Sequence, residues 1–235
     1  MPKLTTIINK SCHVACSGGS DSLAALLFAH NHGKRDVTAL FINHGTAFSD
    51  KSQLFVQEFC GKMDIKLKIK RFSDDVNLEE SSKEHIWGML RHEIYASIDE
   101  QVILGHTLDD AVEKFIMKAL RCDTNSESLF YEFNEGNLAR PFLLWTKEDC
   151  KHYLSEQGAT WLDDPTNFDG SNLRSWIRMS SFKETCQDRF NTVSMVRKRI
   201  EDKLRSVNDY EMTLKYIRKV DQTIKKYQKP VGICI

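Results

Sequence analysis

The sequence predicts an α/β fold built on a parallel, doubly wound sheet, followed by a short helical appendage at the C-terminal end. Three observations carry this. Short β-rich apolar runs alternate with longer runs of helical periodicity as far as residue 121, the pattern of strands joined by crossover helices. Residues 37–42 and 101–105 are almost continuously apolar, as strands covered on both faces require. The turn Ser17-Gly18-Gly19-Ser20-Asp21-Ser22 lies between an apolar run and a helical pattern, and open sheets of this kind bind ligands at such a junction, outside the carboxyl ends of the strands.

The elements follow in order. Residues 12–16 read as the first strand, and Leu23, Ala24, Leu26, Leu27 and Ala29 begin a helix with an apolar face. Residues 37–42 form a buried strand. Residues 48–63 form a helix capped by Ser49 or Asp50. Residues 65–69 alternate apolar and polar, which places them in a strand near the sheet edge. Residues 78–98 are a long helix, 101–105 a buried strand and 108–121 a helix with Val112, Phe115, Ile116 and Ala119 on one face. The polar stretch 122–137 reads as a loop. Thr146-x-x-Asp149 reads as a capping box opening a helix that Gly158 ends. Residues 171–181 look helical, and 188–228 form one or two amphipathic helices without Pro or Gly before Pro230.

A 235-residue chain that is 41% hydrophobic and 28% charged has room for one full domain and an appendage. We divide it into a catalytic body, 1–182, and a tail, 183–235. No apolar run approaches the ~18 residues of a membrane span, and the first ten residues lack the apolar region of a secretory signal. The seven cysteines are scattered, with no C-x-x-C pair, which excludes a disulfide framework and points to a reducing, cytoplasmic setting. Net charge is zero, but the tail holds thirteen Lys/Arg against seven Asp/Glu, leaving twenty against twenty-six in the body. A basic tail on an acidic body points to a polyanionic partner.

The turn 17–22 is the most specific feature. Unpaired N–H groups and the helix dipole at a strand-to-helix junction cradle phosphate, and the glycines allow a left-handed turn and close approach of the ligand. No lysine follows, so this is not a Walker-type loop. Ser-Gly-Gly-x-Asp-Ser is instead the signature of the PP-loop ATP pyrophosphatases, which attack the α-phosphate of ATP. Asp21 is the candidate ligand for a magnesium ion carried on the polyphosphate. His106, Asp109, Asp110 and Glu113 follow the predicted strand 101–105 at helical spacings and gather an imidazole and three carboxylates. His44 closes the strand 37–42 at the same edge. Arg174 and Arg178, four apart on a helix, are placed to face one phosphate.

The succession SGGSDS, NHG, LEESSKEHIWGMLRHEIY, ILGHTLDDAVEKFIMKALR and ARPFLLWTKEDCKHYLSEQGATWLDDPTN resembles the tRNA(Ile)-lysidine synthetase family over residues 12–180. The resemblance implies a five-stranded parallel sheet of the adenine nucleotide α-hydrolase type. It implies ATP and magnesium as cofactors, and as partners an isoleucine tRNA with a CAU anticodon and free L-lysine. The cytosine carbonyl oxygen would attack the α-phosphate of ATP, releasing pyrophosphate, and the lysine amine would then displace AMP. On this basis Ser17, Gly18, Gly19, Ser20, Asp21, Ser22 and His44 hold the nucleotide. Asp110 is the catalytic carboxylate beside Asp109 and His106, with Glu113 orienting. Arg91 and Arg140 join Arg174 and Arg178 in meeting phosphate or RNA. The chain departs from the family at Phe41, Asn43, Thr46-Ala47, Gly88 and Ser175, and its tail is shorter than the tRNA-binding extension of many members. The tail helices offer a surface for pairing two subunits.

Three other readings stand beside this one. A PP-loop tRNA thiolase would need reactive, usually paired cysteines. A small-molecule synthetase would exchange pyrophosphate into ATP without RNA. A catalytically weak RNA-binding protein would have no need of both Ser17–Ser22 and Asp109–Asp110.

Overall fold

The computed structural model describes residues 11–32, 36–72, 80–121, 131–132, 134–165, 170, 173–180, 186 and 191–205. Contacts divide the chain into two compact units, one of residues 1–106, 132–142 and 161–165 and one of residues 107–131, 143–160 and 166–235. The boundary expected at 182/183 lies outside the described residues. No described helix is long and apolar enough to cross a membrane.

The first unit is the α/β body. It contains β1 (Cys12–Ala15), α1 (Ser20–His32), β2 (Val37–Asn43), α2 (Ala47–Lys62), β3 (Lys66–Arg71), α3 (Glu80–Ala96), β4 (Gln101–Ile103), β5 (Asn134–Glu135) and β6 (Leu138–Ala139). The sheet order is β3-β2-β1-β4-β6-β5. The five parallel strands match the expected number, and β5 adds an antiparallel edge. Because side chains alternate across a strand, Leu40 and Ile42 face one way and join Val102, Leu104 and Leu138 under Trp87, Leu90, Ile94 and Tyr95 of α3. The alternate residues Val37, Ala39 and Phe41 are buried on the other face, where α1 and α2 pack. Strand β3 lies at the edge as its alternation predicts, and its exposed Lys66, Lys68 and Lys70 discourage pairing with another chain.

Two local readings need correction. Helix α2 starts earlier than expected: the chain leaves β2 through Gly45 at φ +76, and Thr46, in extended conformation, accepts from Ser49 N–H as the N-cap. The stretch 122–137 is not loop throughout. Residues 122–130 and 133 lie outside the described residues, but β5 and β6 pair around the two-residue turn Gly136-Asn137, with Gly136 at φ +61. Asn137 Nδ2 donates to the carbonyls of Tyr95 and Ile98, fixing the hairpin to the end of α3. Gly-Asn between short strands is a hairpin signal, but strands of two residues show no periodicity.

The second unit is helical: α4 (Leu108–Leu120), α5 (Lys147–Glu156), α6 (Leu173–Met179) and α7 (Thr192–Arg205). Helix α5 has the expected capping box between Thr146 and Asp149. It ends as expected at Gly158, φ +66, where Gly158 and Ala159 N–H bond back to Ser155 and Leu154 in a Schellman arrangement. Helix α7 buries Thr192, Val196 and Ile200, a stripe of period four, as it packs along α4. The remainder of the expected helix 188–228 lies outside the described residues.

Candidate functional site

In the α/β unit the chain turns from β1 into α1 through Ser17-Gly18-Gly19. Gly18 is left-handed, φ +88, and a Cβ there would also press Val56 at 3.4 Å. Gly19 does not have that conformation, and a Cβ on it would meet nothing nearer than the Ser17 hydroxyl at 3.6 Å. The turn is locked by its serines: Ser17 N–H donates to Ser22 Oγ (3.1 Å), the two hydroxyls lie 3.2 Å apart, and Ser22 Oγ donates to the Gly19 carbonyl at 2.9 Å. Ser20 Oγ donates to Asp21 Oδ1 at 3.0 Å. Leu162 N–H bonds the Gly18 carbonyl, so a residue far along the chain closes the back of the turn. The first turn of α1 presents N–H groups that no helical carbonyl can reach, with the positive end of the helix dipole behind them.

Gly105 packs against this turn and was not among the expected site residues. A Cβ on it would fall 2.7 Å from the Asp21 carbonyl oxygen and 3.1 Å from Ser22 Cα. The chain leaving β4 therefore lies against the backbone of the turn 17–22, beside the strand order reversal at β1 and β4. Its signal in the sequence was a glycine directly after a buried strand.

His44 lies at the carboxyl end of β2. Its ring is clamped edge-on by Phe72 and tilted against Trp87, both at 5.1 Å between centroids, and its Nε2 lies 3.3 Å from Arg91 Nη1. A guanidinium only donates, so Nε2 is the acceptor and the ring proton is on Nδ1. Burial, helped by the Arg91 charge and opposed by Asp164, lowers the His44 pKa to about 4. An unfolded chain takes up this proton near pH 6.5, so the neutral ring contributes stability that is present above pH 6.5 and lost as pH falls toward 4. We expect urea midpoints to drop across that window and His44→Gln to flatten part of the drop. An unchanged slope in the variant would contradict the assignment.

Two further predicted residues are joined in this unit. Arg140, 3% exposed, donates through Nε to His106 Nδ1 (3.2 Å), through Nη2 to Glu135 (2.8 Å) and through Nη1 to the Glu132 carbonyl (2.9 Å). His106 accordingly carries its proton on Nε2. In the structure the Arg140 guanidinium anchors a histidine and the β5–β6 hairpin.

In the helical unit the acidic group opens α4. Thr107 N–H and Oγ1 both donate to Asp110 Oδ2 at 2.9 Å, so Asp110 is the third residue of a capping box. Its Oδ1 faces Lys147 Nζ at 3.8 Å and Arg178 Nη2 at 3.6 Å. Asp109 Oδ2 accepts from Lys147 N–H at 2.8 Å. Glu113, 1% exposed, takes Arg178 in a fork, Nε to Oε1 at 2.9 Å and Nη2 to Oε2 at 2.8 Å, with Arg174 Nε at 3.6 Å. Burial opposes the Arg178 charge, but the bond to Glu113 and the charges of Glu113 and Asp110 outweigh it and raise its pKa. The structure thus brings Asp110, Glu113, Arg174 and Arg178 into one network. Lys147 belongs to it too, and nothing in its local sequence signals that.

Among the described residues no three acidic, histidine or cysteine groups converge as a metal site. Cys12, Cys16, Cys60 and Cys150 are buried and form no disulfide. Burial pushes Cys16 up to about 12 and Cys60 up to about 11, so both stay protonated and inert.

The chain matches the PP-loop domain family over residues 3–185. It is 27% identical over 205 residues to the tRNA(Ile)-lysidine synthase of Orientia tsutsugamushi (strain Boryong), covering 82% of this chain and 46% of that protein. It is 33% identical over 185 residues to the tRNA(Ile)-lysidine synthase of Oceanobacillus iheyensis, covering 70% and 39% respectively. The chain therefore spans less than half the length of these two relatives. Among solved structures it resembles the U34-tRNA thiolase NcsA from Methanococcus maripaludis with its 4Fe–4S cluster, at a TM-score of 0.68 over 88% of this chain and 76% of that chain, with 18% identity. At that identity the likeness is one of fold.

Proposed function

The chain belongs to the PP-loop domain family, and from that premise we propose that it is an ATP-dependent ligase that joins free lysine to the wobble cytidine of an isoleucine tRNA with a CAU anticodon. One observation carries the reading: in a chain of this family, the turn 17–22 has a left-handed glycine and interlocked serines ahead of α1, a geometry that supports a phosphate cradle. The names of the curated relatives supply the tRNA and the lysine.

In the first step the cytosine carbonyl oxygen bonds to the α-phosphorus of ATP while the bond to the bridging oxygen breaks and pyrophosphate leaves. In the second the lysine ε-amine forms the carbon–nitrogen bond, the carbon–oxygen bond breaks and AMP departs. The N–H groups of α1's first turn hold phosphate oxygens where negative charge grows, while the Ser17 and Ser22 hydroxyls keep the turn in shape. Asp21 would hold magnesium, which neutralises polyphosphate charge when bound; a single carboxylate suits an ion carried chiefly by phosphate oxygens. A lysine amine, with an ordinary pKa of about 10.4, must shed a proton before it attacks. Asp110 Oδ1, the carboxylate oxygen not committed to the Thr107 cap, is its proposed acceptor. His106 is a proposed orienting partner. Glu113, Arg174 and Arg178 hold α6 on α4, and the exposed Lys198 and Arg199 of α7 lie in the tail proposed to meet RNA. Cys16 and Cys60, buried and protonated, are unsuited to the thiolate chemistry of a thiolase.

The test supplies ATP, magnesium, labelled lysine and the unmodified tRNA. Label should enter the tRNA, with AMP and pyrophosphate formed in step. Asp110→Asn should lose labelling. Gly19→Ala should keep wild-type stability, since its Cβ has room, yet bind ATP more weakly because the added methyl occupies the cradle. Orthophosphate and ADP as products would refute the reading.

A further inference from the structure

Arg91 of α3 is a half-buried cation that no carboxylate pairs with among the described residues. Its one hydrogen-bond contact there is His44 Nε2. A guanidinium has five donors in a rigid fork, so most of them are uncommitted. His44 is held more firmly than its partner. Its ring is fixed between Phe72 and Trp87. Its backbone N–H bonds Ser49 Oγ at 3.0 Å. The preceding Asn43, fully buried, ties the strand end to α2 by donating to Asp50 (2.8 Å) and Gln53 (2.9 Å) and accepting from Gly45 N–H (2.8 Å). One turn earlier on α3, Gly88 has nothing within 4 Å of where a Cβ would stand, which leaves open space beside the Arg91 side of the helix.

A half-buried cation with no carboxylate partner among the described residues is open to an anion, and a planar fork suits the oxygens of phosphate. A neutral imidazole is the ring that can steer such a cation without neutralising it, because it offers one acceptor and no charge. We propose that His44 is a positioning residue for Arg91: its bare Nε2 aims the guanidinium so that the remaining donors grip a phosphate group of a substrate. This rests on the proposed reading only in taking the substrates to be phosphate-bearing. The phosphate belongs either to the nucleotide or to the RNA backbone, and the experiment separates the two.

Equilibrium binding is measured for magnesium–ATP and, separately, for unmodified tRNA. Arg91→Ala should weaken one of them about tenfold or more, as loss of a hydrogen bond to a charged group does, and the affected ligand names the phosphate. His44→Phe keeps a ring between Phe72 and Trp87 but has no acceptor, and should weaken the same ligand. His44→Gln, whose Oε1 replaces Nε2 as acceptor, should recover most of that loss. The double variant His44→Phe/Arg91→Ala should bind no worse than Arg91→Ala, since the two act as a unit. In addition, the imidazole ¹⁵N signals of His44 should report the Nδ1–H tautomer and shift in Arg91→Ala. Unchanged binding by His44→Phe, additive losses in the double variant, equal loss of both ligands or a wild type that binds neither would each overturn the proposal. A wild type that binds both yet forms no pyrophosphate would sink the proposed reaction and leave the pairing of His44 with Arg91 standing.

Discussion

Glu113→Gln is expected to cost about 3–5 kcal/mol of folding stability, the usual penalty for removing one partner of a buried ion pair. Its carboxylate is 2% exposed and takes Arg178 through two bonds, with Arg174 3.6 Å away. Glutamine keeps the shape but removes the charge, leaving two poorly solvated guanidinium groups facing an amide. Because Arg178 also reaches Asp110, the loss should loosen α6 and the acidic start of α4 together. Urea unfolding followed by circular dichroism reads the change. The cost belongs to the orphaned cation and not to the lost contact alone, so Glu113→Leu/Arg178→Met should recover most of it. A Glu113→Gln protein that unfolds at the wild-type midpoint would show that Arg178 finds another anion.

Gly105→Ala is expected to damage the turn 17–22, the proposed nucleotide site, more than the fold. The added methyl would sit 2.7 Å from the Asp21 carbonyl oxygen and 3.0 Å from its carbon, and neither side yields easily. Leu104 N–H is bonded to the Ala139 carbonyl at 2.8 Å, Leu23 N–H to Gly19, and Leu162 N–H to Gly18. Overpacking of this kind costs about 1–3 kcal/mol. A displacement of the turn by even ~1 Å is enough to lower turnover on the order of a hundredfold. Thermal melting and pyrophosphate release, measured on the same sample, should show the modest first loss beside the large second one. Equal activity at equal stability would mean the backbone of α1 accommodates the methyl and that Gly105 has no part in shaping the site.

The two Thr-x-x-Asp segments show where sequence reading stops. Thr146-x-x-Asp149 reads as a cap and is one. Thr107-x-x-Asp110 carries the same signal and forms the same box, yet beside His106 and Asp109 it reads as chemistry. The structure shows the cap for Asp110, and the cap occupies only one of its oxygens. Arg140 and Arg178 are the converse case. Each reads as a cation for phosphate, and each is bound to a partner inside its own unit. Arg178 meets Glu113 across 65 residues and Arg140 meets His106 across 34.

By itself the chain's order of residues determined the alternation of strands and helices, the edge placement of β3, the glycine turn after β1 and the limits of α4 and α5. These depend on hydrogen bonds and side-chain periodicities that close within a few residues. Tertiary structure alone decided that Gly105 presses on Asp21, that Leu162 backs Gly18, that Glu113 holds Arg178 and that a two-residue hairpin ends the sheet. A distant pairing is fixed by how packed elements present their side chains in space, and a charge written in the sequence does not say which opposite charge it will meet.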